Sequence, residues 1–337
     1  MAQAGTATTV DGAGSVRGRS ARARAVSIIQ RQGALVALAL VCGFAAYRYP
    51  QFLSEANLTN VLRQNSMLGL VALGMTFVIL TGGIDLSVGS LLAVAGVVAA
   101  HLAGRGLFVA LVAGIGLAAL LGLANGVIIA RARVQPFIVT LAMMIAARGL
   151  ALVATGEQTV RVERSAQGFT ELGRGTVDLG PLALPVPVII LVAAYVLGWL
   201  VLNHTRFGRH VFSIGDNEEA ARLMGLNVRR VTIGVYALSG ALAGLAGVIL
   251  ASRLGAGQPV AGQGWELDAI AAVVVGGTLL TGGKGSAAFT LVGVLLLGVI
   301  FNIFNLEGSI TPWWQQVLRG IILLAVVVVQ NRLSRRK

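Results

Sequence analysis

The 337-residue chain has one cysteine, three histidines and seven prolines, and only 12% of its residues are charged. Each shortage removes a class of function. The lone Cys42 permits no intrachain disulfide and, set in an apolar stretch, reads as an inert buried thiol. His101, His204 and His210 fall on loops or segment ends without metal-ligand spacing, and neither HExxH nor GxSxG occurs. No metal site, no cofactor and no catalytic residue is expected, and the chain does not read as an enzyme. The segment Gly277 to Gly285, GTLLTGGKG, superficially suggests a phosphate-binding loop. Aligning Gly283 and Lys284 with GxxxxGK[ST] puts Thr278 at the first glycine and Gly285 at the hydroxyl position, which excludes a nucleotide site. Acid is scarce too: 13 Asp and Glu stand against 26 Lys and Arg, for a formal charge of +13. The bases are scattered over segment ends rather than gathered on one face with aromatics, which argues against a nucleic-acid partner.

Apolar residues are abundant, at 56% of the chain with a mean hydropathy of +0.84, more than a soluble domain could hide from water. The fold class is therefore all-α, a polytopic membrane protein in contact with lipid. Ten apolar spans are expected: Gly33 to Tyr49, Val61 to Leu80, Leu86 to Ala103, Leu107 to Ala130, Phe137 to Ala154, Pro185 to Leu202, Val231 to Ala251, Leu267 to Thr281, Ala287 to Phe304 and Trp313 to Val329. Trp199, Trp265, Trp313 and Trp314 fall at span ends, where amphipathic rings prefer to sit. Arginines such as Arg131, Arg133, Arg206, Arg229 and Arg230 form a large set on one side. Arg48, Arg63, Arg105, Arg161, Arg164, Arg174 and Arg253 form a smaller set on the other. By the positive-inside rule both termini are cytoplasmic. Residues 1–31 read as a disordered basic tail, 32–332 as one transmembrane domain and 333–337 as a second basic tail. No cleavable signal peptide is expected. Residues 155–184 form a long outer loop that could meet an external partner, and 204–230 a large inner loop.

The inner loop is the charged, cap-bounded interruption of a lipid-soluble chain. Asp216 followed by Glu219 fits a capping box, Glu218 and Glu219 complement a helix dipole, and Gly225 supplies a left-handed stop. A helix of about two turns is marginal alone. A partner burying Ala220, Ala221, Leu223 and Met224 would stabilise it, while an ordinary capped loop helix remains the alternative. The tetrapeptide LTGG occurs at Leu80 to Gly83 and again at Leu280 to Gly283, 200 residues apart. Both copies fall on the cytoplasmic side of the expected topology, so an internal duplication would be parallel. A weaker echo is Arg148-Gly149 and Arg319-Gly320. Asp85, near the bilayer edge, is expected to cap the helix starting at Leu86; contact with a solute is the other reading. Arg148 and Arg319 must snorkel or pair, with Asp85 or another acid as partner. Small residues such as Gly240 and Gly244, with Gly114, Gly122 and Gly126, predict close helix packing.

Three motifs in order, GGIDLSVGS from Gly82, GDNEEAARLMGL from Gly215 and VVVGGTLLTGGKGS from Val273, make the chain resemble the permease subunits of bacterial ABC importers of the ribose, xylose and arabinose type. The likeness covers about nine tenths of the chain, most clearly Asn57 to Arg332. It implies an inner-membrane pore half that pairs with a second copy or paralogue, receives a monosaccharide from a periplasmic sugar-binding protein and is driven by a cytoplasmic ABC ATPase, which alone binds ATP. It also implies that Gly215, Asp216, Asn217, Glu218, Glu219, Ala220, Ala221, Arg222, Leu223 and Gly225 dock on that ATPase. Gly83, Asp85, Ser87 and Gly89 carry the signature loop. Polar residues within spans, Asn65, Ser66, Thr76, Asn125, Thr140, Asn302 and Asn305, are candidates for the solute path, or they simply satisfy neighbouring helices. An ion-coupled secondary transporter is the rival reading; it would normally place acids at mid-membrane, whereas most acids here lie in loops or at span ends.

Overall fold

A computed structural model describes residues 33–180, 182–309, 311, 313–318, 320, 321, 324 and 328. Both terminal tails, Arg319 and six further residues of the tenth expected span lie outside the described residues. The main helices are α1 (Gly33–Arg48), α2 (Glu55–Leu80), α3 (Val88–Leu102), α4 (Leu107–Ala132) and α5 (Pro136–Thr155). There follow α6 (Gln167–Arg174), α7 (Val186–His204), α8 (Arg206–Asp216), α9 (Glu218–Leu223), α10 (Val228–Leu254), α11 (Trp265–Val275) and α12 (Ala287–Glu307). The protein is an all-helical, multi-pass membrane protein. Among the described residues seven helices are long and apolar enough to cross a membrane.

Helix α2 is the axis of the bundle, with every residue from Asn65 to Leu80 buried. Its start is fixed by Ser54, whose hydroxyl accepts from the Asn57 N–H at 3.3 Å. Helices α4, α5 and α7 form an outward-facing rim with exposed Leu120, Phe137, Ile138, Ile145, Val192 and Val196. In lipid such apolar exposure costs nothing, so packing among small residues holds the helices together. The seam between α4 and α10 follows the glycine pattern. A Cβ added at Gly122 would lie 2.4 Å from the Tyr236 carbonyl oxygen, and one at Gly240 would lie 2.4 Å from that of Ala118.

One of the expected spans is cut short. Helix α11 has 11 residues where Leu267 to Thr281 were expected, a rise of about 16 Å against a core of about 30 Å. Before it, the stretch 256–264, a two-residue strand followed by turns, lies along α3: a Cβ at Gly257 would meet the Gly96 carbonyl oxygen at 2.7 Å, and one at Gly262 the Gly89 oxygen at 2.9 Å. Helix α3 starts at Val88, not Leu86, after the extended loop 81–87. That loop reaches inward, because Asp85 bonds Ser239, the twelfth residue of α10 and so about 16 Å along it. The N-termini of α3 and α11 therefore meet within the bundle, each approached by irregular chain from opposite ends. Such backbone is tolerated at this depth because it is buried in protein.

At the end of the bundle away from α9, residues 155–184 fold back. Val160–Arg161 (β1) pairs antiparallel with Ala256–Gly257 (β4), and Thr176–Leu179 (β2) with Leu182–Pro185 (β3). Helix α6 docks on α10 through buried Phe169, and the Gly173 N–H donates to the Ser252 hydroxyl at 2.7 Å. Arg63, Arg174 and Arg253 meet there, with the Arg174 Nε donating to the Arg253 carbonyl at 2.7 Å and Arg63 to that of Arg174 at 3.4 Å.

Candidate coupling and translocation sites

The inner loop contains two helices rather than one. Thr205 caps α8, accepting from the Gly208 N–H at 3.2 Å, and Asp216 is the last residue of α8, not the cap of the helix that follows. Asn217 takes that role. Its backbone is extended (φ −160°) and its side-chain oxygen accepts from the Ala220 N–H at 2.9 Å. The expected Asp216 and Glu219 capping box is therefore displaced by an amide cap one residue on. Glu218 and Glu219 occupy the first turn of α9, and Glu218 pairs with Arg222 at 2.6 Å. Gly225 (φ +83°) ends the helix: its N–H donates to the Arg222 carbonyl at 3.0 Å and that of Leu226 to the Ala221 carbonyl at 3.1 Å, a Schellman stop. Of the residues expected to await a partner, Ala221 is fully buried within this chain and Ala220 half-buried. Leu223 and Met224 stand out at 85% and 70% exposure.

Directly behind this segment the two LTGG copies touch. The Gly283 N–H donates to the Leu80 carbonyl at 3.0 Å, and Gly215 is wedged between them. A Cβ there would lie 1.8 Å from the Leu80 oxygen and 2.4 Å from the Gly283 nitrogen. Gly282 (φ +86°) and Gly283 (φ +72°) adopt conformations that side chains rarely take. A Cβ at Gly282 would meet the Gly82 nitrogen at 2.8 Å. Both copies therefore lie at one end of the molecule. Further into the bundle, the Thr76 and Thr290 hydroxyls bond at 2.9 Å, joining α2 to α12.

Asp85 is not a helix cap at the bilayer edge. It is fully buried, two residues before the N-cap Ser87. One carboxylate oxygen accepts from the Ser87 N–H at 3.0 Å and hydroxyl at 2.6 Å, and the other from the Ser239 hydroxyl at 2.9 Å. Asn125 on α4 donates to the Ser87 hydroxyl at 3.0 Å, so the network ties the signature loop to α4 and α10. Gly83 lies under the Tyr236 hydroxyl, and Gly89 lets the Gly262 carbonyl approach to 2.3 Å of its missing Cβ. Arg148 is not paired with Asp85; it donates to the carbonyls of Pro259 and Ala261 at 2.6 and 2.8 Å, holding the turns before α11 in place.

The candidate path residues divide. Ser66 bonds its own helix at 2.7 Å, Thr140 bonds its own at 2.9 Å, and Thr76 and Asn125 belong to the contacts just described. Asn65, Asn302 and Asn305 come together on a cavity of ≈90 Å³ with Gln64, Trp265 and Asp268. Asn302 exchanges hydrogen bonds with Asn57 at 2.7 and 3.1 Å, and the Asn305 side-chain Oδ1 accepts from the Gln315 side chain at 3.1 Å. Sequence reasoning missed Ser239 and Thr290, which the criterion that selected Thr76, a polar residue within an apolar span, would have found, and Asn57, which lies before the expected second span. It also missed Trp265 as a cavity residue, because its place at a span end suggested an interfacial anchor.

A multi-pass helical bundle in which a short helix and buried irregular chain lie between full-length spans has the architecture of a membrane transport protein. Residues 57–327 match the family described as "Branched-chain amino acid transport system / permease component", and the chain belongs to it. It is 45% identical to the ribose import permease protein RbsC of Escherichia coli (strain K12) over 90% of this chain and 94% of that one. The ribose import permease protein RbsC of Bacillus subtilis (strain 168) is 43% identical, over 91% and 94%. The L-arabinose transport system permease protein AraH of E. coli (strain K12) is 38% identical, over 92% and 93%. No solved structure matches the chain significantly.

Proposed function

We propose that this chain is the membrane-spanning permease subunit of an ATP-binding-cassette importer for a monosaccharide of the ribose or arabinose kind. A periplasmic binding protein delivers the sugar and a separate cytoplasmic ATPase drives transport; the chain carries out no chemistry itself. It resides in a bacterial inner membrane as about ten spans with cytoplasmic termini: a basic tail over 1–31, a transmembrane domain over 32–332 and a short tail over 333–337. The two LTGG units belong to a parallel duplication. Relatives that import ribose and arabinose favour a sugar over the amino acid of the family description.

The observation that carries the reading is the α9 segment, which exposes Leu223 and Met224 while Gly215, near the end of the preceding α8, bears on both LTGG loops. An ATPase that grips α9 moves Gly215, and with it the ends of α2 and the α11–α12 loop. Asp216 to Gly225 form the docking element, with Arg222, Arg229 and Arg230 contributing charge at that interface. The cavity holding Asn65, Asn302, Asn305 and Trp265 is too small for a sugar by itself and lies partly open. A second copy or paralogue closes it, an aromatic face and amides being the groups that weakly hold a polyol. The test is to purify the chain with its ATPase and reconstitute it in vesicles. A stable complex whose ATP hydrolysis and ribose uptake rise with sugar-loaded binding protein is expected. Purification of the chain alone, moving solute down an ion gradient, would refute it.

A further inference from the structure

A second, larger cavity of ≈710 Å³ lies between α9, the turn from α4 to α5, the first LTGG loop and the start of α10. Its wall carries three guanidinium groups, from Arg133, Arg222 and Arg229, against the single carboxylate of Glu218, which is already engaged with Arg222 at 2.6 Å. Gln135, Asn227 and Thr232 add neutral polar groups. Arg133 is one of two described non-glycine residues with positive φ, at 55°. Thr81 and Tyr236 add hydroxyls, and the rest of the wall is apolar or glycine.

The position matters as much as the charge. The turn between α4 and α5 joins two apolar helices, so it lies at a boundary between hydrocarbon and water. Just inside that boundary Ile128, Phe137 and Ile138 are exposed, next in sequence to the cavity residues Ile129 and Pro136. A ligand seated on the arginines would thus have an apolar surface beside it running into the bilayer. Basic pockets between membrane helices at this level select anionic headgroups, and bidentate guanidinium contacts suit phosphate oxygens.

We propose that this cavity binds the phosphate headgroup of an anionic phospholipid, whose acyl chains lie along Ile128, Phe137 and Ile138. The lipid then sits against α9 and the first LTGG loop. The inference needs only the membrane boundary at the α4–α5 turn, so it stands apart from the transport reading. It is tested on the full-length permease in neutral detergent, by native mass spectrometry with phosphatidylglycerol or phosphatidylcholine as probe. Wild type is expected to retain phosphatidylglycerol in preference. The pair Arg133→Gln and Arg229→Gln should weaken that binding about fivefold per arginine and leave phosphatidylcholine unchanged. Arg206→Gln with Arg209→Gln removes the same charge from exposed residues off the cavity and should change little; Arg133→Lys with Arg229→Lys should restore part of the preference. Equal losses from the two glutamine pairs would overturn the site in favour of general surface charge. Displacement of the lipid by inorganic phosphate alone would mark a soluble-anion site instead. Unchanged phosphatidylglycerol retention with loss of ATPase association would assign the cavity to the ATPase.

Discussion

Replacing Gly215 with alanine should separate ATPase binding from sugar movement. The added methyl would lie 1.8 Å from the Leu80 oxygen and 2.4 Å from the Gly283 nitrogen, and both are backbone atoms. Carbon needs about 3.4 Å or more from such neighbours, so the junction must open by roughly 1.5 Å. Overpacking of this kind costs about 1–3 kcal/mol, and losing the bond from Gly283 to Leu80 adds about 1 kcal/mol. The expected total is about 2–4 kcal/mol, concentrated where the two LTGG loops meet. Gly225→Ala is the contrast: it finds open space and meets only the strain of φ +83°, about 1–2 kcal/mol. The assays are thermal melting in detergent, co-purification with the ATPase and uptake in vesicles. Gly215→Ala should lower the melting temperature more than Gly225→Ala and abolish uptake while α9 still binds the ATPase. Wild-type melting and wild-type uptake together would refute the wedge.

Ala221→Asp and Leu223→Asp should part company. Ala221 is fully buried, so an aspartate there loses about 3 kcal/mol or more of stability, seen as poor recovery from the membrane. Leu223, 85% exposed, should keep normal melting and lose ATPase co-purification. Asp85→Ala strips the acceptor from the Ser87 and Ser239 hydroxyls and should destabilise by about 2–4 kcal/mol, with Asp85→Asn retaining part of it in the same melting assay. Arg148→Gln releases the carbonyls of Pro259 and Ala261 and should raise protease cleavage or hydrogen exchange within 256–264, with the end strands 160–161 and 256–257 loosening together.

How much of this was legible in the sequence depends on the range of the interaction involved. Span positions follow from local composition, and α4, α5, α7 and α12 begin and end within a few residues of expectation. The Gly225 stop was equally legible, because a left-handed turn after a short helix is written in one residue. The cap was misplaced by one position since Asp216 and Asn217 are both competent cap residues, and only the backbone decides between adjacent candidates. Ala221 was assigned to a partner because helix periodicity says which residues share a face, not which side of that face the rest of the chain already fills.

The short α11 and the buried loops before α3 and α11 were hidden for a different reason. Hydropathy records whether a stretch is apolar, and both 81–87 and 256–264 are irregular yet lie against helices inside the bundle. Glycine was the clue: Gly82, Gly83, Gly89, Gly262 and Gly264 flank the starts of α3 and α11, where backbone approaches backbone more closely than any side chain would allow. The repeated LTGG was visible as a pattern, but its consequence depends on the 200 intervening residues bringing the copies together around Gly215. Under the proposed docking of α9, the contact between the two LTGG loops beside Gly215 would give one external movement access to both of them. Two separated copies would each need a contact of their own.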